Sequence, residues 1–269
     1  MRYIIDHDYH IHSQLSECSS HPEQTTENIL KYAKKNNLKR ICLTDHFWDE
    51  NIKGVESGPY DWYKPQNFAH ICQSLPLPKD DEVEFLFGCE CDFDKNFTLG
   101  IAKEKFDEFD FVIIPTTHLH MRGFTLEKDS TLQDRAALWS IRLEKLLELD
   151  LPWHKIGIAH LACSAIASST REDYIKTLNL IPSEDMYRLF KKASSLGVGI
   201  EINRDDMIFA PHEEDAVLRM FRIAKACGCK FYMGSDSHNP KGFLEAMDLF
   251  NHGIDRLGLT EDDKFHIKK

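Results

Sequence analysis

Seven apolar, β-rich runs recur along the chain, and each ends in polar residues: Tyr3–His12, Arg40–His46, Val83–Cys91, Phe109–His118, Lys155–Leu161, Val198–Asn203 and Lys230–His238. Most of the intervening stretches read as helices. Glu23–Asn37 has helical composition, and Thr131–Leu149 places Leu138, Ile141, Leu146 and Leu149 on an apolar stripe. Ser183–Leu196 opens on a Ser-x-x-Met N-cap and stops before Gly197, while Glu213–Cys227 carries Val217, Met220, Phe221 and Ala224 at helical spacing. Lys241–Phe250 follows Pro240, a suitable first-turn residue. Strands alternating with helices imply a parallel sheet. Seven such units in 269 residues point to a barrel rather than an open sheet.

Two stretches break the alternation. Phe47–Asp81, rich in Trp, Tyr, Pro and Gly, is expected to form a long loop over one barrel mouth. Ala162–Pro182 is expected to be a second irregular insertion. With no internal repeat or low-complexity tract, residues 1–269 are expected to form a single domain.

Composition narrows the function. The formal charge of −11 disfavours long nucleic acid, whose binding rests on Lys and Arg neutralising phosphates, but not a small anion held by metals. The eight cysteines contain no CxxC pair, and several lie in apolar runs, where a free thiol behaves as a small hydrophobe. No apolar stretch reads as a signal peptide or a membrane span. A reduced, cytoplasmic protein is the expectation.

The fourteen histidines matter because of where they fall. The run ends supply, in order, His10 and His12, Asp45 and His46, Glu90, His118, His160, Asn203 and Arg204, and Asp236 and His238. Barrels of alternating strands and helices collect functional residues at the C-terminal strand ends. Residues i and i+2 on a strand share a face, so His10 can act with His12 and Asp236 with His238. By the same rule Glu90 faces inward while Cys89 and Cys91 face the helices. Convergent imidazoles and carboxylates are costly to bury unless paired or metal-bound. A mixed imidazole and carboxylate site suits Zn²⁺, Mn²⁺ or Fe²⁺.

Asp8-Tyr9-His10-Ile11-His12-Ser13, Leu43-Thr44-Asp45-His46, Gly88-Cys89-Glu90, His118, His160 and Gly234-Ser235-Asp236-Ser237-His238 together resemble the ordered motifs of the PHP (polymerase and histidinol phosphatase) superfamily. The resemblance implies a distorted (β/α)₇ TIM-like barrel, two or three divalent metal ions and hydrolysis of phosphate esters. It implies His10, His12, Glu90 and Asp236 at a first metal, and Glu90, His118 and His160 at a second. It further implies His46 and His238 at a third metal, with an acid shortly after the first motif. Many members carry that acid five residues beyond the second His, which is Glu17 here. Histidinol phosphatases often have Cys-x-His in this loop, whereas Cys18 and His21 stand one residue further apart. Glu17 is preferred over His21.

No nucleophile elbow is present, so a metal-activated water is the expected nucleophile. Asp236 is expected to act as base and His238 as a candidate acid, with Arg204, then Arg122, clamping the phosphate. The leading expectation is a phosphomonoesterase of small substrates, with histidinol phosphate among the candidates. The alternatives are a nuclease or nucleotide phosphatase of the same superfamily and a non-catalytic metal-binding barrel. His7 and His70 are expected to be surface or core groups, and His120 to stand near the pocket outside the ligand set. His154, His212, His252 and His266 are read as ordinary polar positions, and Lys264–Lys269 as a solvated tail. Trp48, Tyr60, Trp62 and Tyr63 either cover a substrate or pack against the rim.

Overall fold

The computed structural model describes residues 1–19, 21–55, 60–167 and 170–268. Strands β1 (His7–Ile11), β2 (Arg40–Leu43), β3 (His46–Phe47), β4 (Glu84–Cys91), β5 (Phe111–Pro115), β6 (Ile156–Ala159), β7 (Gly199–Asn203) and β8 (Lys230–Gly234) form one parallel sheet. Around it lie α1 (Thr26–Lys35), α2 (Phe68–Ile71), α3 (Leu132–Leu147), α4 (Arg171–Leu180), α5 (Ser183–Leu196), α6 (Glu214–Ala226) and α7 (Ala246–Leu257). The second expected run breaks at Thr44-Asp45, so β2 pairs with the first half of β4 and β3 with its end, His46 opposite Glu90. The sheet nearly closes into a TIM-like barrel. Between β8 and β1, Ile11 bridges Ser237, Asp236 N–H donates to the His10 carbonyl at 2.7 Å, and His12 N–H donates to the Ser237 carbonyl at 3.1 Å.

Strand alternation sorts the apolar residues into two cores. Phe111 and Ile113 point inward to join Cys42, Leu86, Ala159 and Tyr232, while Val112 and Ile114 point outward against the helices. Cys89 and Cys91 belong to the outer core. A register shift in β1 between Asp8 and Ile11 lets Tyr9 enter the inner core while Ile11 packs outward with Ile29. His7 is a core group with a backbone role: it stacks on Tyr9, and its Nε2 accepts the Met233 N–H at 3.1 Å.

The structure corrects several expectations. Residues 162–182 include α4, whose start is capped by Thr170 accepting the Asp173 N–H. Only Tyr174, Thr177 and Leu178 of α4 are buried, too few for a clear periodic pattern. Ser183 is not a cap, since Pro182 holds that place. In α3 Ile141 is 42% exposed and Leu138 only partly buried, whereas Arg135, Trp139, Arg142 and Leu143 are buried. The stripe shifted because two arginines are interior. The tail is not solvated either: Phe265 and Ile267 plug the inner core, and Lys264 is buried against Asp6 and Glu261. Lys269 lies outside the described residues. The 47–81 stretch holds α2 and two short 3₁₀ turns, and its residues 56–59 lie outside the described residues.

Arg142 is the tie that fixes the barrel mouth. Its guanidinium donates to the carbonyls of Thr116, Asp94, Thr125 and Phe93, which lie in the segments after β4 and β5. Arg135 similarly joins the Leu119 and Ile166 carbonyls. Removing such a donor leaves buried carbonyls without partners. Arg142→Met is expected to destabilise the fold by about 2–4 kcal/mol, read as a lower urea midpoint at unchanged slope.

Candidate metal centre

Glu90 lies at the centre of the mouth and is 1% exposed. Its Oε1 faces His10 Nε2 at 3.6 Å, His118 Nε2 at 3.7 Å and His160 Nε2 at 3.3 Å. Its Oε2 faces His12 Nε2 at 3.3 Å and His46 Nδ1 at 3.1 Å. Asp236 stands opposite, with Oδ1 3.4 Å from His10 Nε2 and 3.2 Å from His12 Nε2, and Oδ2 3.5 Å from His160 Nε2. Three groups of donors therefore converge: His10, His12 and Glu90; His10, His160 and Asp236; Glu90, His118 and His160. A fourth joins His12, Cys18, His46 and His238.

The donor set fits metal ions. Glu90 Oε1 and Asp236 Oδ1 are buried, yet no hydrogen-bond donor among the described residues is aligned on either. The imidazoles around them are turned by partners behind. His10 Nδ1 contacts Glu201 Oε1 at 2.6 Å, and His118 Nδ1 contacts Asp92 Oδ1 at 3.2 Å. Ser16 Oγ–H donates to Asp45, so its lone pairs receive the His46 N–H and His12 Nδ1–H. Each pairing leaves Nε2 of His10, His118 and His12 as the outward lone pair, the arrangement found behind metal-bound histidines.

The electrostatics agree. Burial opposes charge on His10, but Asp236, Glu201 and Glu90 hold its pKa well above the ordinary imidazole value. Burial likewise opposes charge on His12, and bonds to Asp236 and Glu90 hold it up at about 9. Despite burial, facing histidines keep Glu90 and Asp236 well below the usual carboxylate range. Desolvation pushes His46 down to about 3 and lowers His238. His238 Nδ1 lies 2.8 Å from the Asp236 carbonyl, so the ring is a neutral Nδ1–H tautomer with its lone pair on Nε2. That state suits ligation better than the proton donation expected of His238.

Several positions differ from the sequence reading. Glu17 is not in any donor group: its residue is exposed and its N–H donates to Gln66, while the next residue, Cys18, joins the cluster. His21 is exposed, with Nδ1 accepting the Glu23 N–H. Asp45 is not a donor to the cluster but holds the 13–16 loop through Ser13 and Ser16. Arg204 is half-buried within the influence of Asp236, with Nε on Asp205 and Nη1 on the Gly242 carbonyl. Arg122 is exposed and donates to the Lys128 carbonyl. His120 is exposed, its ring 5.4 Å from His118.

Glu201 and Asp92 escaped the sequence reading. The available signal was a charged residue two positions from one already singled out: Glu201 before Asn203, Asp92 after Glu90. Gly234 serves this arrangement, because a Cβ there would collide with Glu201 Oε1 and His10 Cβ. In the 47–81 stretch, Trp48 and Tyr63 pack with Met121 and Phe124. Tyr60 stacks on Phe124, and Trp62 stacks on Tyr63 and meets His46 edge-on with ring centroids 5.4 Å apart.

Fold and site together define a parallel α/β barrel with a cluster of histidines and carboxylates, arranged as metal ligands could be, at its C-terminal mouth. The chain belongs to the PHP domain family, whose model matches residues 8–205. The match holds His10 through His160 and stops before Asp236 and His238, which the barrel brings to the same mouth. The fold is similar to histidinol phosphate phosphatase from Lactococcus lactis subsp. lactis, complexed with zinc, L-histidinol and phosphate (TM-score 0.59, 18% identity, 97% of this chain and 98% of that chain covered). It is also similar to a Listeria monocytogenes protein assigned as a histidinol phosphatase (TM-score 0.65, 11% identity, 91% and 99% covered). No curated protein matches. Among the described residues, no helix is long and apolar enough to cross a membrane.

Two outcomes follow. Metal binding must displace the proton that His12 carries at neutral pH. Calorimetry of zinc uptake at pH 7, in buffers of different ionisation heat, should register release of roughly one or more protons per chain. In metal-free protein the raised pKa of His12 stabilises the fold below pH ~6.5, and that contribution is lost as pH rises through about 9. Absence of proton release would contradict the charged cluster. Glu201→Gln should weaken zinc affinity about 10- to 100-fold, measured by competition with a chromophoric chelator.

Proposed function

We propose that this chain is a metal-dependent hydrolase of small phosphate monoesters, with histidinol phosphate the first substrate to test. The observation that carries the reading is Glu90, a buried carboxylate whose two oxygens face five imidazoles. Such a carboxylate can bridge two cations, held by His10, His12 and Asp236 on one side and by His118 and His160 on the other. His46 and His238 are the candidates for a third. Zn²⁺, Mn²⁺ and Fe²⁺ all suit this donor set, and two or three ions would lower the pKa of water and neutralise phosphoryl charge.

The side chains do the rest. Asp236, with its side chain 16% exposed at the mouth, is the candidate base; the facing histidines make it a weak one, and a metal-lowered water pKa would offset that. Arg204 keeps its charge beside Asp236 and is assigned to the non-bridging phosphate oxygens, with Arg122 a more distant candidate at the exposed rim. Trp62 and Tyr63 wall the His46 side and restrict the approach of bulky leaving groups. The histidinol and phosphate bound in the Lactococcus relative support a small monoester. The −11 charge disfavours the nuclease alternative.

Steady-state kinetics of metal-reconstituted protein should rank histidinol phosphate or another small monoester above a DNA duplex in kcat/KM. A duplex as best substrate would refute the monoesterase reading. Glu90→Gln keeps the side-chain volume but removes the bridging charge. It should lower kcat by at least about 100-fold while circular dichroism stays native.

A further inference from the structure

We propose that Cys18 supplies a thiolate to a third metal position at the mouth, making it a mixed sulfur and nitrogen site that favours zinc. The inference rests on the metal-dependent reading above and adds a ligand that reading lacks. Cys18 Sγ and one nitrogen each from His12, His46 and His238 lie within 4.8 Å of one another. In tetrahedral zinc sites, bonds of roughly 2.3 Å to sulfur and 2.0–2.1 Å to nitrogen put the donors about 3.3–3.7 Å apart. With the single free nitrogen of His12, Nε2, committed to the first ion, Cys18, His46 and His238 would hold this one and a small contraction would bring them to bonding distance, leaving the fourth position to water or substrate.

The convergence is long-range. His12 follows β1, Cys18 lies in the loop beyond it, His46 begins β3, and His238 lies after β8. Cys18, His46 and His238 fall in this donor group alone, whereas His12 belongs also to the group with His10 and Glu90. The rings are oriented in advance, since His12 and His238 direct Nδ1 to Ser16 and to the Asp236 carbonyl. The loop is clamped on both sides of the thiol: Ser16 Oγ binds Asp45, and Ser19 Oγ donates to the His238 carbonyl at 2.7 Å. Cys42, Cys89, Cys91 and Cys229 are buried packing groups, but Cys18 is an exposed residue at the mouth. Thiolate is a soft ligand, whereas manganese prefers carboxylate and water. A metal-bound thiol is deprotonated outright.

The test loads chelator-stripped full-length protein with Co²⁺ and reads the near-ultraviolet sulfur-to-cobalt charge-transfer band. Wild type should show the band, and both Cys18→Ser and Cys18→Asp should lose it. Zinc content should fall by about one ion per chain in Cys18→Ser. Cys18→Asp should recover that ion but lower the zinc-over-manganese affinity ratio about tenfold or more, because it restores a hard ligand. A band missing from wild type, or retained in Cys18→Ser, overturns the proposal; retention would move the sulfur to Cys163, which lies beside His160. Phosphomonoester hydrolysis is assayed on the same samples. A Cys18-dependent band without hydrolysis removes the hydrolase reading and keeps the ligand, and hydrolysis without the band does the reverse.

Discussion

Burying Glu90 is the constraint on which the rest of the mouth depends. An ionised carboxylate taken out of water needs compensating charge or donors. Glu90 has five imidazoles and no aligned donor on Oε1, so cations or protons must supply the compensation. In the metal-free cluster raised histidine pKa values provide the protons, which explains why His10, His12 and His160 are all held above their ordinary values. A site that holds protons only through surrounding carboxylates is one that divalent cations can occupy by exchange.

That exchange works only if the rings already point the right way. The fold fixes them from behind with groups outside the donor cluster. Glu201 takes His10 Nδ1 and also accepts the His160 N–H at 3.0 Å, so one carboxylate orders two members of the donor cluster. Asp92 takes His118 and is bonded in turn by Tyr63, which links ligand orientation to the aromatic wall. Behind these, Arg142 and Arg135 bind the loop carbonyls that follow the strands. Buried arginines serve well here, because one planar group satisfies several carbonyls at once.

Much of this architecture was legible in the sequence because period-2 patterning and strand ends carry strong signals. The parallel barrel and the inward face of Glu90 followed from alternation alone. The missed features have physical reasons. Helix α3 defeated an apolar count because Arg135 and Arg142 are interior, and charged residues score as surface. The tail seemed polar, yet Phe265 and Ile267 alternate with Lys264 and His266, a strand-like pattern that places two apolar groups in the barrel floor. The Cys18 position depends on the path of a loop set by Ser13, Ser16 and Asp45, and residue spacing does not encode that path.

The backbone itself carries part of the design. Among the described residues, four non-glycine positions have positive φ, and two of them, His160 at 60° and Asp236 at 50°, belong to the donor cluster. Left-handed conformations of non-glycine residues cost on the order of 1–3 kcal/mol each when the surroundings impose them. Here the surroundings do impose them. Asp236 N–H is held by the His10 carbonyl, and His160 N–H by Glu201, so both strained residues hang on the same β1–β7–β8 wall that orients His10. At these two positions the His160 Nε2 and Asp236 Oδ2 atoms meet at 3.5 Å. Hydrogen bonds from neighbouring strands thus offset local strain at two positions of the donor cluster.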